Sequence, residues 1–287
     1  MEKLVKYLLV LRYIIQLCGE GFKNPFKKIS IDIKRPLAIL ANGPSLNIFL
    51  KEIKENSAII DKYDFACIND FVNDPMFCVI KPKHYVLSDH MFFHETKFKE
   101  RGIRTMKGLM EKVDWPMYLY ICRNNINMEY MQWPKQNPNI KIICYHEAKF
   151  PRYTGLDKIR YFFYSRGLGN GEFGTVAINA IYVGITLKYN NIELYGFDHT
   201  FFDGLCVNKD NVVCYSYRHS FDGEAELKPI IWHNDTTHDY VDMTWYVDEK
   251  AGIFYGHKIM SKYALMNGVN ILNCTESSLI DVYPRRK

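Results

Sequence analysis

Short apolar runs alternate along most of the chain with stretches whose apolar residues recur at helical spacing. The apolar runs end in polar or glycine-containing turns, as strands buried in the middle of a sheet do. Strands that alternate with helices predict an α/β fold with a mainly parallel sheet and helices on both faces. The predicted strands are Leu37–Ala41, Phe65–Asn69, His84–Ser88, Met117–Cys122, Ile140–Tyr145, Asn191–Asp198 and Val269–Cys274. The predicted helices are Asn47–Lys54, Thr105–Val113, Asp157–Arg166, Thr175–Tyr189 and Ala251–Met266.

Polar clusters follow four of the predicted strands. A parallel sheet binds ligands outside the carboxyl ends of its strands, so these clusters would meet in one crevice. Any single cluster could instead cap a helix or form a turn. The prediction of a shared crevice therefore depends on the presence of four such clusters. The clusters are Asn42-Gly43-Pro44-Ser45, Asn69-Asp70, Ser88-Asp89 and Asp198-His199.

The first cluster suits a turn that holds a ligand. Gly43 allows the backbone to approach closely, Pro44 suits the start of a helix, and Ser45 can cap that helix. Gly174 and Thr175 open a second helix, whose free amides can face a phosphate. The sequence has neither the G-x-G-x-x-G fingerprint nor a Walker A loop. We therefore predict a nucleotide site of another kind.

The N-terminal segment, residues 1–29, is predicted to be a basic amphipathic arm. Leu4, Leu8, Leu11 and Ile15 recur at helical spacing, but the run is short and contains Arg12, which argues against a spanning helix. The segment has no small-residue cleavage site, which argues against a secretory signal. We expect it to lie on the inner-membrane surface. A helix packed on the protein's own body and a dimer contact are the alternatives.

The charge distribution supports the prediction that the N-terminal segment lies on a membrane surface. Residues 1–35 hold 8 of the chain's 37 Lys and Arg residues and 3 of its 32 Asp and Glu residues, so the net charge of +5 belongs to this segment. A basic arm on a neutral body argues against a broad nucleic-acid-binding face. Cations that could meet anionic lipid follow the apolar run at Lys23, Lys27 and Lys28.

Chain length, cysteine spacing and aromatic content limit the classes of protein to which this sequence can belong. The chain has 287 residues, and 48% of them are hydrophobic, which is enough for one large domain or two small ones. We assign one domain to residues 30–287. The eight cysteines form no C-x-x-C pair, which predicts reduced thiols in a cytosolic protein and disfavours a structural zinc site. Aromatic residues reach 15%, as suits either a packed core or a cleft for sugars and bases.

Several motifs resemble, in order, those of the bacterial lipooligosaccharide sialyltransferases (glycosyltransferase family 42) and related capsular polysaccharide glycosyltransferases. The opening "AILANGPSL" is similar to the N-G-P-S-L turn with which that family binds the nucleotide of a CMP-sugar. Together the similar segments span roughly residues 36–200 and 250–283. The other segments are "CIND" (Cys67–Asp70), "LSDHMFF" (Leu87–Phe93), "GTVAINAIYVG" (Gly174–Gly184), "IELYGFD" (Ile192–Asp198) and "ILNCTESSLIDVY" (Ile271–Tyr283).

The resemblance implies a single Rossmann-like, GT-A-variant domain with a lid-like insertion at about 200–245. It implies transfer of a CMP-linked, sialic-acid-like sugar from a nucleotide donor to a cell-surface glycan or glycolipid acceptor, in bacterial polysaccharide or lipooligosaccharide biosynthesis. No cofactor beyond that donor is expected. The sequence departs from the sialyltransferases after Asp198, where His199-Thr200-Phe201-Phe202 follow, and at Asn170-Gly171-Glu172. The donor cradle is assigned to Asn42, Gly43, Pro44, Ser45, Asn69, Asp70, Ser88, Asp89, Gly174 and Thr175.

Sugar transfer also needs a group that stabilises the leaving phosphate and a base for the acceptor hydroxyl. His199 is the first candidate for the phosphate contact, and Asp198 either orients a histidine or acceptor hydroxyl or caps a turn. His219 and His238 are the leading candidates for the base, ahead of His233, because histidine titrates near neutral pH. His257 is assigned a structural role. Tyr215 and Tyr217 are weaker candidates for the phosphate contact.

Metal use and the alternative functions complete the prediction. No D-x-D motif follows a predicted strand, so we expect catalysis without a metal, although His and Asp residues are dense over 233–242. A pterin pyrophosphokinase-like enzyme would need an ATP site and paired carboxylates. A non-enzymatic nucleotide-binding scaffold at the membrane is a further alternative. A homo-oligomer is compatible with the sequence.

Overall fold

The computed structural model describes residues 2–89, 92–93, 99–170, 174–217, 226–231 and 240–286. A seven-stranded sheet, parallel throughout, forms its centre. Its strands are β1 (Leu37–Leu40), β2 (Asp64–Ile68), β3 (His84–Leu87), β4 (Met117–Cys122), β5 (Ile140–Tyr145), β6 (Asn191–Tyr195) and β10 (Asn270–Asn273). Their order across the sheet is β10-β6-β1-β2-β3-β4-β5.

Helices cover both faces of this sheet, as the alternating pattern predicts. One face packs against α1 (Glu2–Glu20), α6 (Asp157–Tyr164), α7 (Val176–Thr186) and α8 (Met243–Met266). The other packs against α2 (Leu46–Glu55), α3 (Phe77–Ile80), α4 (Lys99–Lys112) and α5 (Gln132–Gln136). Because both faces are covered, the central strands are continuous apolar runs, and all four residues of β1 are buried.

The observed ends of the strands agree in part with those predicted from the local sequence pattern. Strands β4 and β5 begin and end at the predicted residues. Strand β6 was predicted to reach Asp198 but ends at Tyr195, because Gly196 takes a φ of +73° and turns the chain. Helix α8 begins at Met243, ahead of the predicted Ala251. Its first turn is capped by the side chain of Asp242, which accepts from the Trp245 amide at 2.8 Å.

A small antiparallel sheet lies within the expected lid-like insertion, and the sequence pattern did not predict it. Its strands are β7 (Leu205–Val207), β8 (Val213–Tyr217) and β9 (Glu226–Pro229), with β8 in the middle. Residues 218–225 and 232–239 of the insertion lie outside the described residues.

Helix α1 packs on the body with one face and leaves its other apolar face exposed. Val10, Tyr13 and Leu17 are buried in the same core as the sheet, and the Tyr13 hydroxyl donates to the Leu168 carbonyl at 2.8 Å. In the part of the chain that the structure describes, no helix combines the length and apolar character needed to cross a bilayer. The exposed apolar residues of α1 are Leu4, Val5, Tyr7, Leu8, Leu9, Leu11 and Ile15.

Candidate functional site

A cavity of about 520 Å³ lies beyond the carboxyl ends of β1, β2 and β6. The chain runs outward from β1 to β5 on one side and returns to β6 on the other, so β1 and β6 flank the point where the strand order reverses. Open α/β sheets bind ligands at this position. The lining includes Asn42, Gly43, Pro44, Ile68, Asn69, Thr175, Val176, Ala177, Asp198, His199, Phe201, Asp203, Tyr215 and Ser216.

Asp198 fixes the Asn42–Ser45 turn against the end of β6. Its carboxylate accepts from the Ser45 hydroxyl at 2.7 Å and from the Ser45 amide at 3.2 Å. The Gly43 amide donates to the Gly196 carbonyl at 3.0 Å. A Cβ at Gly43 would lie 1.9 Å from Asp198 Oδ2, so only glycine fits. The two turns therefore form one rigid side of the cavity.

Asn69 places an unsatisfied polar atom beside the cavity. Its backbone takes a φ of +50°, a conformation that asparagine tolerates better than most residues. The Tyr85 hydroxyl donates to its carbonyl and holds it in place. The side-chain Oδ1 is buried and has no hydrogen-bond partner among the described residues. A buried acceptor without a donor is energetically costly.

The N-terminus of α7 faces the cavity from the opposite side. Thr175 is its N-cap and accepts from the Ala177 amide at 3.4 Å. Thr175, Val176 and Ala177 all line the cavity. The first amides of a helix lack intrahelical partners and carry a partial positive charge, so this end of the 11-residue helix can hold a phosphate.

Aromatic residues close the side of the cavity nearest the small sheet. Tyr215 of β8 forms a short hydroxyl–hydroxyl bond with Tyr246 of α8, and Tyr246 in turn donates to the Phe201 carbonyl. The Lys250 amine lies 4.8 Å from the centre of the Phe201 ring and 4.9 Å from that of Tyr246. These contacts join the loop after β6, the small sheet and α8 into one wall.

His199 lines the cavity in a largely apolar setting. Burial, together with the positive charge of Lys250, lowers its pKa to about 4. Burial also lowers the pKa of Lys250. His199 is therefore a neutral imidazole at pH 7, able to accept a proton.

The cavity brings together seven of the fourteen predicted site residues. The seven are Asn42, Gly43, Pro44, Asn69, Thr175, Asp198 and His199. Five others are described but are not among the lining residues, namely Ser45, Asp70, Ser88, Asp89 and Gly174. The two predicted bases, His219 and His238, lie outside the described residues, as does His233.

The residues away from the cavity have other partners. Ser88 is buried, where its hydroxyl accepts from Asn179 at 2.8 Å and bonds to the Tyr145 hydroxyl at 2.7 Å. Asp70 forms a bidentate ion pair with Arg101, with both contacts at 2.7 Å. Ser45 acts on the cavity through Asp198. Gly174 turns the chain into α7 with a φ of +84°.

The structure adds lining residues that sequence reasoning did not assign. Phe201 and Ser216 reach the cavity from the loop after β6 and from β8. Phe201 lies in the segment that departs from the sialyltransferase pattern after Asp198, whereas Ser216 lies in none of the motifs. Among the described residues, no three His, Cys, Asp or Glu side chains are grouped as metal ligands. Most of the His- and Asp-rich stretch 233–242 lies outside those residues.

Comparison with known proteins gives two structural similarities. The chain is similar to the MAf glycosyltransferase from Magnetospirillum magneticum AMB-1, with a TM-score of 0.49 and 14% identity over 90% of this chain and 34% of that one. It thus spans about a third of that protein's length. It is also similar to the monofunctional alpha-2,3-sialyltransferase Cst-I from Campylobacter jejuni, with a TM-score of 0.42 and 15% identity over 90% and 83% of the two chains. No family model and no curated protein sequence matches it.

Proposed function

We propose that the protein is a glycosyltransferase of bacterial polysaccharide or lipooligosaccharide biosynthesis. It moves a CMP-linked, sialic-acid-like sugar to a cell-surface glycan acceptor, without a metal or a further cofactor. The motifs from "AILANGPSL" to "IELYGFD" support this choice of donor, and the geometry of the cavity supports a nucleotide site.

Three features of the cavity match the parts of a nucleotide sugar. Asn69 offers an acceptor for a hydroxyl or a base amino group. The N-terminus of α7 offers backbone amides to the phosphate. His199, which the sequence pattern assigns to the phosphate contact, is neutral at pH 7, and we propose it instead as the proton acceptor for the incoming hydroxyl. The volume of about 520 Å³ falls within the range of small-molecule sites.

The unpartnered Oδ1 of Asn69 is the observation that carries the proposal. Asn69 lines the cavity at the end of β2, next to the switch point between β1 and β6, and none of the described residues donates to its Oδ1. A ligand donor would remove an energetic cost of about 1–3 kcal/mol that the free protein bears. Because Asn69 also lines the cavity, we take this position as one of ligand recognition.

The membrane surface is proposed as the place where the protein works. Leu4, Leu8, Leu11 and Ile15 stay between 51% and 64% exposed although α1 is docked. An exposed apolar stripe flanked by cations fits an anionic inner-membrane surface, where the acceptor would be carried on lipid. The enzyme would then be cytoplasmic and peripheral.

The proposed activity is tested by incubating the full chain with a panel of CMP- and UDP-sugars and following release of the free nucleotide. We expect slow hydrolysis of a CMP-sugar and its loss in His199→Gln. The Asn211→Gly protein, changed at an exposed turn, is the control and should keep the activity. No release of nucleotide from any sugar donor, or a product that forms only with ATP, would contradict the proposal.

A further inference from the structure

Three side chains lead from the interior to the cavity: Tyr283, His257 and His199. The Nε2 atoms of His257 and His199 lie 2.9 Å apart. The other ring nitrogen of His257, Nδ1, lies 3.2 Å from the Tyr283 hydroxyl. The same hydroxyl donates to the His257 backbone carbonyl at 3.2 Å. His257 is fully buried on α8, and Tyr283 is buried beneath it.

The contacts between Tyr283 and His257 indicate which of their atoms carry protons. Tyr283 and His257 make two contacts, and each needs a proton between its heavy atoms. We assign the hydroxyl proton of Tyr283 to the His257 carbonyl, and Nδ1 of His257 then carries the proton that it donates to the Tyr283 oxygen. Burial raises the pKa of Tyr283, which stays protonated, and lowers the pKa of His257, which stays neutral.

This arrangement also decides the tautomer of His199. A neutral His257 protonated at Nδ1 has a bare Nε2, which can only accept. The contact at 2.9 Å therefore needs the proton of His199 Nε2. The Nδ1 of His199 is left with its lone pair, and that nitrogen has no hydrogen-bond partner in the described part of the chain.

We propose that Tyr283 and His257 are positioning residues that hold His199 in its Nε2–H tautomer, so that Nδ1 is the proton acceptor of the reaction. This rests on the proposed function. The acceptor hydroxyl gives its proton to Nδ1 while its oxygen bonds to the anomeric carbon. The bond from that carbon to the phosphate oxygen breaks, and the nucleotide leaves with the electron pair. A fixed tautomer is needed because the wrong one would present an N–H to the hydroxyl.

The tautomer is measured directly by ¹⁵N NMR of the full chain labelled in its histidine rings. Spectra of His199→Gln and His257→Gln assign the signals. At pH 7 we expect His199 protonated at Nε2, and we expect Tyr283→Phe, which preserves the ring packing, to give a mixture of tautomers. A wild-type His199 protonated at Nδ1, or a tautomer unchanged in Tyr283→Phe, would overturn the proposal. This result does not depend on whether any sugar is transferred.

Steady-state kinetics with a sugar donor that the protein hydrolyses distinguish a loss of His199 positioning from a loss of folding. Tyr283→Phe should lower kcat about tenfold or more and leave the donor KM unchanged. His257→Gln should retain more activity than His257→Leu, because an amide oxygen can still accept from His199 Nε2–H. Equal kcat in wild type and Tyr283→Phe, or equal loss in both His257 variants at matched thermal stability, would overturn the role.

Discussion

Ser45 and Asp198 join two turns that lie 153 positions apart in the chain. Asp198 accepts from both the hydroxyl and the amide of Ser45, at 2.7 Å and 3.2 Å. The turn after β1 and the turn after β6 are thereby fixed to each other at the switch point of the sheet. Asp198 thus shapes the cavity through Ser45, and its neighbour His199 faces the ligand space.

Gly43→Ala tests how closely these turns approach. The new Cβ would lie 1.9 Å from Asp198 Oδ2 and 2.4 Å from the Gly196 carbonyl, so the turns must separate. We expect a loss of at least about 2 kcal/mol in the free energy of unfolding, measured by urea denaturation. Gly19→Ala is the control, because no atom lies within 4 Å of its added Cβ and alanine favours a helix. A stable Gly43→Ala protein would show that the turns are not tightly packed.

The contact between Ser45 and Asp198 can be measured by a double-mutant cycle. Ser45→Ala and Asp198→Ala should each destabilise the fold by about 1–3 kcal/mol, because each leaves a polar group without its partner. The double variant should be less destabilised than the sum, with a coupling energy of about 0.5–3 kcal/mol. Additive effects would mean that the two side chains do not interact in solution.

Acid should destabilise the protein through its buried histidines. Burial lowers the pKa of His84 to about 3 and that of His199 to about 4, whereas an unfolded histidine titrates near 6.5. Between about pH 6.5 and 4 the unfolded chain therefore binds more protons, and the free energy of unfolding falls as the pH falls.

Each of these two histidines should contribute a loss of about 2 kcal/mol between pH 7 and pH 5. Urea denaturation at the two pH values measures the loss. His84→Gln removes one titrating group, so the difference between the two pH values should shrink even though the protein is less stable at both. The same difference in His84→Gln and wild type would contradict the assignment of a neutral buried His84.

Membrane binding should depend on the exposed face of α1. Leu4→Glu/Ile15→Glu places two charges on side chains that are 64% and 63% exposed, so the fold should be unaffected. We expect the wild type to sediment with vesicles containing phosphatidylglycerol and the variant to lose most of that binding. The control is Leu265→Glu/Met266→Glu, which changes two apolar side chains that are 76% and 64% exposed on α8.

Salt provides a second check on this surface. The cations of the arm attract anionic lipid, so binding should weaken at high ionic strength and on vesicles of phosphatidylcholine alone. Equal binding by the two double variants would show that α1 is not the membrane-facing helix.

The sequence predicted the strands well because central parallel strands are uniformly apolar and end at polar turns. It could not predict their order. The sequence pattern predicts Ser88 in the crevice because it follows β3, but β3 lies two strands from β1, and the cavity lies at the ends of β6, β1 and β2. Asn69, at the end of β2, lies within reach. Strand order is set by packing of distant segments, which leaves no local pattern.

The small sheet was missed for a related reason. Strand β7 is three residues long, and its side chains are half-buried or exposed, so no apolar alternation marks it. The contacts of His257 were equally hidden, because its partners, His199 and Tyr283, lie 58 and 26 positions away. Long-range polar contacts of this kind become visible only once the fold is known.

Protection of the protein by free nucleotides tests the central claim most directly. We expect CMP to raise the thermal unfolding temperature of the full chain more than UMP, GMP or ATP does at equal concentration. Asn69→Gly keeps the positive φ and removes the amide, so it should lose this protection, whereas Asn211→Gly, which has a φ of +59° in the native turn, should keep it. Equal protection of the wild type and Asn69→Gly, or no protection by any nucleotide, would contradict a nucleotide site at the ends of β1, β2 and β6.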